Sequence, residues 1–127
     1  VVTRLMSVAY TEAAVVARIK TVTRRLGWWK DRNGRRLLKP GDHLTLCRKV
    51  MGRKPGEPLV RLVDVEVVSV RREILGEIHQ DPAEVAREGF PDLSPAEFIR
   101  LYFEEAQGIG VHDEITRIEW RYLDPPA

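Results

Sequence analysis

The sequence predicts a single α+β domain: a small barrel of mostly antiparallel strands with covering helices. A length of 127 residues suits one domain with a core of its own. Runs rich in β-branched residues and helix starts follow one another in mixed order, unlike the regular strand–helix repeat of a parallel sheet. The connections are short, and Asn33-Gly34 and Pro40-Gly41 mark turns. We therefore expect one domain over residues 1–127, with its core at about 7–122.

The first half of the chain predicts three strands and one helix. "RLMSVAY" is typical of a short opening strand, and "TEAAVVAR" of a helix with Thr11 as its N-cap. "KTVTRRL" is β-branched and predicts a short strand or the start of one. The segment between Trp28 and Leu38 predicts an exposed hairpin or loop rather than core. "DHLTLCRKV" alternates, which places Leu44 and Leu46 on one face of a strand.

The second half predicts the longest strand, two helices and a closing strand. "LVRLVDVEVVSVRR" is too rich in β-branched residues for a comfortable helix. "DPAE" and "SPAE" each begin a helix, with Asp81 or Ser94 as the cap, and Gly89 ends the first helix. "DEITRIEWRYL" is the last strand, and residues 124–127 are expected to form a flexible tail. The residues expected to face the core from the second helix and the last strand are Phe98, Leu101, Tyr102, Ile115, Ile118 and Trp120.

Several classes of protein are disfavoured by the composition. No apolar run approaches the roughly 20 residues that cross a bilayer, and the first ten residues lack the features of a signal peptide. Cys47 is the only cysteine, which excludes an intrachain disulfide. His43, His79 and His112 are scattered, and no Walker or GxGxxG motif is present. We expect a cytoplasmic protein with no membrane contact, metal or cofactor, and its oligomeric state stays open.

The net charge of +2 conceals a strong asymmetry along the chain. Between Arg18 and Lys54, thirteen Lys and Arg residues stand against two acids, a balance of +11. Between Glu73 and Glu119, twelve acids stand against three arginines, a balance of −9. The basic segment can create a local field that attracts a polyanion. Alternatively, the two segments pair with each other across the fold, and the sequence leaves both interpretations open.

A nucleic-acid interface is the simplest function for the basic segment. Its cations could neutralise phosphates along a groove. Trp28 or Trp29 could stack on an unpaired base, a contact worth ~1–3 kcal/mol. Because adjacent strand residues face opposite ways, we expect one tryptophan to be buried and the other to be available. The candidate phosphate contacts are Arg24, Arg25, Lys30, Arg32, Arg35, Arg36 and Lys39.

Four motifs in order resemble a known family. They are "KTVTRR" after a short first helix, "KPGD" before "HLTL", "AREGF" before "SPAEFIRLYF", and a final "TRIEWRYL". Together they resemble the ASCH domain, the activating-signal-cointegrator homology family of the PUA-like superfamily, from about Ser7 to Tyr122. The resemblance implies a small β-barrel with helices over one opening and a cleft beside it. It also implies interaction with RNA or modified nucleosides. Some members are described as ribonucleases.

One bacterial branch of that family removes the acetyl group from N4-acetylcytidine. It uses a lysine and a threonine of a "KTxT" motif and a glutamate of a later helix, which correspond here to Lys20, Thr23 and Glu88. The family motif usually carries a glycine ahead of the lysine, where this chain has Arg18 and Ile19. The basic insert that follows the motif is also longer than in the smallest members.

Amide hydrolysis assigns a role to each of these three residues. Thr23 could supply a hydroxyl nucleophile, and Glu88 could act as a base if partial burial raises its pKa. Lys20 could assist deprotonation of Thr23 or stabilise negative charge. Lys20 and Thr23 lie three residues apart, so a regular strand would point them to opposite faces. The hypothesis therefore requires an irregular backbone, such as a bulge at the junction of helix and strand.

The sequence thus leads to one main hypothesis and two alternatives. The main hypothesis is binding of RNA or a modified nucleoside, including single-stranded nucleic acid, in a cationic cleft. The first alternative is an enzyme, either a hydrolase of an acylated nucleoside or a ribonuclease. The second is a protein-interaction module whose charged faces meet other proteins. Under any of these functions, Lys20, Thr23 and Glu88 have the simpler interpretation of a solvated strand residue, a β-former and a surface helix residue.

Overall fold

A computed structural model describes residues 3–123 and shows a mixed α+β fold. The tail expected at 124–127 lies outside the described residues. Short 3₁₀ turns cover Ala9–Thr11 and Leu75–Ile78, and a π-helical turn, Arg100–Glu105, continues the third helix. The strands and helices are β1 (Thr3–Ser7), α1 (Glu12–Val16), β2 (Val22–Arg25), β3 (His43–Cys47), β4 (Arg61–Ile74), α2 (Pro82–Arg87), α3 (Pro95–Ile99) and β5 (Glu114–Tyr122).

The five strands form one sheet in the order β1-β3-β4-β5-β2. Only the pairing of β1 with β3 is parallel, so the expectation of mostly antiparallel strands is confirmed. The long strand β4 pairs with both β3 and β5, and its register shifts between Val67 and Ser69. The edge strands β1 and β2 approach each other through one side chain, because Arg25 Nη2 donates to the Ser7 carbonyl at 2.6 Å.

Two apolar clusters form the core, one on the sheet and one under the helices. The inward positions predicted in β5, Ile115, Ile118 and Trp120, are confirmed as buried. The 28–38 segment is not wholly a surface loop, since Leu38 is fully buried in the sheet cluster.

The helix stripe predicted after Ser94 needs correction. Ile99 and Phe103 are buried together with Phe98, whereas Leu101 and Tyr102 are only half-buried. The physical reason is the π-helical turn that follows Ile99. Its i→i+5 hydrogen bonding changes which side chains share a face.

The helix boundaries in the acidic half are confirmed by their capping contacts. Asp81 Oδ1 accepts from the Glu84 N–H at 3.2 Å, and Ser94 exchanges two 3.1 Å hydrogen bonds with Glu97 in a capping box. Gly89 follows α2 with φ of +104°, a conformation that glycine adopts without steric cost. A Cβ at this glycine would lie 3.0 Å from Ala14 Cβ, so glycine lets the end of α2 pack against α1.

The junction of α1 and β2 has the irregular backbone that the Lys20–Thr23 spacing requires. Arg18 has φ of +59°, and the N–H groups of Ile19 and Lys20 both donate to the Ala14 carbonyl, at 2.8 and 3.2 Å. Regular strand pairing begins only at residue 22, so Lys20 lies before the strand rather than in a bulge. Thr11 precedes α1 as predicted, but its side chain makes no capping hydrogen bond.

Candidate functional site

The three candidate catalytic residues line one cavity. Its volume is about 260 Å³, and it opens between the 3₁₀ turn Ala9–Thr11, β2 and the helical half of the molecule. Lys20, Thr23 and Glu88 all contribute to its wall and are each about 3% exposed. Lys20 and Glu88 are 68 residues apart in the chain, so the fold brings together what the sequence separates.

Lys20 is fixed at both ends. Its carbonyl accepts hydrogen bonds from Trp120 Nε1 at 3.0 Å and from the Tyr122 hydroxyl. Its ammonium donates to the Glu88 carbonyl at 2.7 Å and lies 3.4 Å from Glu88 Oε1. Burial lowers the pKa of Lys20 to about 8; the Glu88 carboxylate opposes this shift and the neighbouring Arg25 adds to it. A lysine with such a pKa can exchange a proton near neutral pH.

Glu88 lies at the C-terminal end of α2 between two cations. Its Oε1 faces Lys20, and its Oε2 accepts from Arg24 Nη1 at 2.9 Å. The preceding carbonyl of Arg87 accepts from the Thr21 N–H at 2.9 Å, which ties the end of α2 to the start of β2. Glu88 is therefore presented to the cavity as a carboxylate with a fixed orientation.

Arg24 does not have the role predicted from the sequence. Its guanidinium is 1% exposed and donates to three carboxylates: Nε to Glu73 at 2.6 Å, Nη2 to Glu84 at 2.6 Å and Nη1 to Glu88 at 2.9 Å. All three of its nitrogens are engaged within the protein, so the expected phosphate contact at Arg24 is wrong. Arg117 joins the group through a 2.6 Å contact of its Nε with Glu84. We call Arg24, Glu73, Glu84, Glu88 and Arg117 the charge cluster.

The charge cluster shows that part of the charge asymmetry is neutralised within the fold. At this place the basic and acidic segments pair inside the fold. Burial alone would raise the pKa of Glu84, but hydrogen bonds from Arg117 and Arg24 lower it to about 2. Burial would lower the pKa of Arg24, and Glu88, Glu84 and Glu73 together raise it above its usual value.

Sequence reasoning missed Glu73, Glu84 and Arg117 as members of this cluster. One signal was present: Glu84 and Glu88 are four residues apart on a predicted helix and so share a face. No comparable signal marks Arg117, whose strand alternates as if one face were solvated. In the structure Thr116 and Arg117 are both buried, because β5 is covered on both sides.

Arg25 differs from its neighbour Arg24. It lines the cavity and is partly buried. Its Nη2 donates to the Ser7 carbonyl at 2.6 Å, and its Nε donates to Thr23 Oγ1 at 3.3 Å. Within residues 3–123, no carboxylate lies within 4.0 Å of this guanidinium. Burial lowers the pKa of Arg25, and the more distant Glu88 opposes that shift.

Another part of the cavity lining is aromatic. The rings of Phe90, Phe98 and Tyr102 pack with centroids 4.4 to 6.0 Å apart. Tyr10 meets Tyr102 edge-on at 5.8 Å and is 79% exposed. Sequence reasoning expected core packing from Phe98 and Tyr102 and assigned nothing to Tyr10 or Phe90. The cavity thus combines a charged wall with an aromatic one.

Residues 28–39 form a separate feature, which we call the basic hairpin. Lys30 pairs with Arg36 across it, and Asp31 Oδ1 accepts the N–H groups of Asn33 and Arg35 at 2.8 and 3.0 Å. The predicted hairpin is therefore confirmed. The side chains predicted to contact phosphate are all exposed here: Lys30, Arg32, Arg35, Arg36 and Lys39.

The expectation of one buried and one available tryptophan is wrong. Both are partly buried. Trp28, with φ of +68°, packs against the sheet cluster. The ring of Trp29 is covered by the guanidinium of Arg36, whose central carbon lies 3.4 Å from the ring centroid. The central carbon of the Arg72 guanidinium lies 5.8 Å from the same centroid. Side chains from the hairpin and β4 occupy the place where a base would stack.

Within residues 3–123, no three His, Cys, Asp or Glu side chains are grouped so that they could hold a metal ion. No helix there is long and apolar enough to span a membrane.

Comparison with known proteins identifies the fold. No protein-family model and no curated protein matches the chain. It is similar to the crystal structure of an ASCH domain from Lactobacillus crispatus JV V101, with a TM-score of 0.62 and 17% identity over 95% of this chain and 79% of that one. It is also similar to the crystal structure of protein EF3133 from Enterococcus faecalis V583, with a TM-score of 0.61 and 13% identity over 98% of this chain and 77% of that one. A third similar structure is that of the hypothetical protein PH0355, with a TM-score of 0.53 and 20% identity over 95% of this chain and 97% of that one. The resemblance to ASCH domains is thus confirmed at the level of the fold.

Proposed function

We propose that this chain, which has the fold of an ASCH domain, binds RNA or a modified nucleoside and takes up one nucleoside unit in its cavity. The observation that carries the proposal is the pairing of an aromatic wall with a charged wall in one small pocket. Its volume of about 260 Å³ lies just below the ~300–1,000 Å³ that is typical of ligand sites. A nucleobase stacks on the ring of Tyr102 or Phe90, and Lys20, Thr23 and Glu88 supply donors and acceptors for its polar edge.

The proposal extends to the surroundings of the cavity. The exposed cations of the basic hairpin supply contacts to the sugar–phosphate backbone when the nucleoside belongs to a strand. The sheet closes into the barrel of PUA-like domains, an arrangement supported by the contact between Arg25 and Ser7 that joins its edge strands. The protein acts in the cytoplasm, which suits a chain with a single, buried, reduced cysteine.

Calorimetric titration with the four ribonucleosides, N4-acetylcytidine and a short single-stranded RNA tests this function. We expect binding of at least one of them, lost or weakened at least tenfold in Glu88→Gln. Glu73→Gln is the matched control, since Glu73 pairs with the same arginine but does not line the cavity. Equal weakening in both variants would assign Glu88 to stability alone. Absence of binding to every probe would overturn the proposal.

A second function, hydrolysis of an acylated nucleoside, is favoured by the state of Lys20. With a pKa of about 8, roughly a tenth of the Lys20 side chains are neutral at pH 7. A neutral amine can take a proton from water or from the Thr23 hydroxyl as its oxygen adds to the acyl carbon. The amide C–N bond then breaks, and the same proton passes to the leaving amine. When water is the nucleophile, the acyl group leaves as the free acid; when Thr23 is the nucleophile, the acyl group stays on its oxygen as an ester until a water molecule, deprotonated by Lys20, hydrolyses that ester and restores the hydroxyl.

The pH dependence of the rate distinguishes this reaction from binding alone. The base must be neutral, so the rate should rise with pH and level off near the pKa of Lys20. Release of cytidine from N4-acetylcytidine, followed by chromatography and mass spectrometry, measures it. Lys20→Met should abolish release, and intact N4-acetylcytidine at every pH would leave binding as the function.

A further inference from the structure

We propose that the ligand of the cavity is anionic: a nucleotide whose phosphate pairs with Arg25, rather than an uncharged nucleoside. The inference rests on the proposed function and names its substrate class. It follows from the difference between two consecutive arginines on β2. Both line the cavity, yet Arg24 has three carboxylate partners and Arg25 has none within 4.0 Å among the described residues.

The charge of Arg25 is the one in this cavity that lacks a local counter-charge. Lys20 and Arg24, the other cations of the lining, both pair with Glu88. Withdrawing a cation from water is costly unless an anion or several hydrogen bonds replace the water. Two hydrogen bonds to uncharged acceptors, Ser7 and Thr23, compensate Arg25 only in part. A ligand that brings its own negative charge completes the compensation.

The hydrogen-bonding capacity of Arg25 points the same way. A guanidinium carries five N–H donors in a planar fork. The contacts with Ser7 and Thr23 use one donor on Nη2 and the donor on Nε, so three donors remain. No buried polar side-chain atom of the described residues lacks a partner, so the unbonded Nη1 is accessible. Two donors on Nη1 and one on Nη2 match the oxygens of a phosphate group.

The rest of the wall accepts the remainder of a nucleotide. The aromatic rings lie on the helical side of the cavity, while Arg25 approaches from the end of β2. A nucleotide presents these two chemistries in one molecule, a stacking base and an anionic phosphate. Anion binding beside Arg25 also offsets the influence of this arginine on Lys20, whose pKa it helps to lower. Phosphate binding should therefore increase the protonated fraction of Lys20.

Two sources of phosphate share this chemistry, a free mononucleotide and a phosphodiester within a strand. The test titrates the intact protein by calorimetry with each ribonucleoside, its 5′- and 3′-monophosphates, and the corresponding dinucleotides. We expect at least one phosphorylated form to bind tenfold or more tightly than its parent nucleoside. Tight binding of monophosphates identifies the free nucleotide as the ligand. Tight binding of dinucleotides alone identifies the strand, and both results support the inference.

Substitutions locate the phosphate. Arg25→Gln should remove the preference for the phosphorylated form, so that nucleotide and parent nucleoside bind the variant with equal affinity, and Arg35→Gln in the basic hairpin should leave the preference intact. If Arg25→Gln does not fold, the comparison of nucleoside with nucleotide on the unmodified protein still decides. Equal affinity for both overturns the inference and leaves the proposed function standing. No binding of either overturns both, and a preference lost only in Arg35→Gln moves the phosphate to the hairpin.

Discussion

The charge cluster and the basic hairpin draw on the same run of basic residues and use its cations in opposite ways. Arg24 is withdrawn from solvent and surrounded by three carboxylates from β4 and α2. A few residues later, the cations of the hairpin are exposed, and its Asp31 carboxylate accepts backbone N–H groups of the turn. The net charge of a segment therefore does not reveal where its cations point. The position of the acids in the fold decides that.

The two regions differ in what their charges contribute. A buried ion pair adds little net stability over an apolar pair of the same size, but removing one partner leaves a buried charge uncompensated. An exposed cation hardly affects folding and acts through its field on other molecules. We therefore expect substitutions in the charge cluster to change the free energy of unfolding, and substitutions in the basic hairpin to change binding.

The largest effect is predicted for Arg24→Met. The substitution leaves Glu73, Glu84 and Glu88 without their shared cation, so the free energy of unfolding should fall by about 3–5 kcal/mol. Arg35→Ala, in the hairpin, should change it by less than about 0.5 kcal/mol. Urea denaturation at pH 7 measures both. Similar losses in the two variants would remove the distinction between the regions.

The next effect concerns acid stability. Hydrogen bonds from Arg117 and Arg24 outweigh burial and lower the pKa of Glu84 in the folded protein to about 2, from its ordinary value of 4.5. A lowered pKa stabilises the folded state above pH 4.5, and this contribution is lost as the pH falls toward 2. Glu84→Gln should therefore be less stable than the unmodified protein at pH 7, and its stability should change less between pH 4.5 and 2. The loss at pH 7 should be smaller than for Arg24→Met, because two carboxylates still hold the arginine.

Glu104→Gln provides the matched comparison for acid unfolding. Glu104 is exposed and belongs to neither region. The acid unfolding curve of the Glu104→Gln variant, followed by circular dichroism, should coincide with that of the unmodified protein. If the acid unfolding curve of Glu84→Gln also coincides with that of the unmodified protein, protonation of Glu84 does not cause the loss of stability at low pH.

The difference between these regions also explains what the sequence could and could not predict. The helix starts at Asp81 and Ser94 and the inward residues of β5 follow from local rules of capping and alternation, and both were predicted. The grouping of Lys20, Thr23 and Glu88 came from the family resemblance, because spacing alone would separate the first two. Partners such as Glu73 for Arg24 are set by long-range strand and helix placement, which local patterns do not contain.

A smaller effect is predicted for RNA binding by the basic hairpin. Each exposed cation that contacts a phosphate of single-stranded RNA contributes about 0.7 to the slope of log K against log salt concentration. Arg32→Ala and Arg35→Ala should each reduce the slope by about that amount, with a severalfold loss of affinity at low salt. Arg100→Ala serves as control, since Arg100 is also exposed but lies at the end of α3. A reduced slope in this control would mean that the field of the whole surface, not the hairpin, attracts RNA.

The smallest effect is predicted for Arg36, which stacks on Trp29. An exposed cation–π contact is worth about 0.5–1 kcal/mol, so Arg36→Ala should lower stability by no more than that. The same substitution uncovers the indole, and acrylamide should quench the tryptophan fluorescence more strongly; Trp29→Leu gives the background of Trp28 and Trp120. Unchanged quenching would show that Arg36 does not cover the ring in solution.

The same substitution, Arg36→Ala, also changes RNA binding in two opposing ways, because it removes a proposed phosphate contact while it frees a stacking surface. If base stacking on Trp29 outweighs the lost charge, RNA affinity at high salt should rise although the salt slope falls.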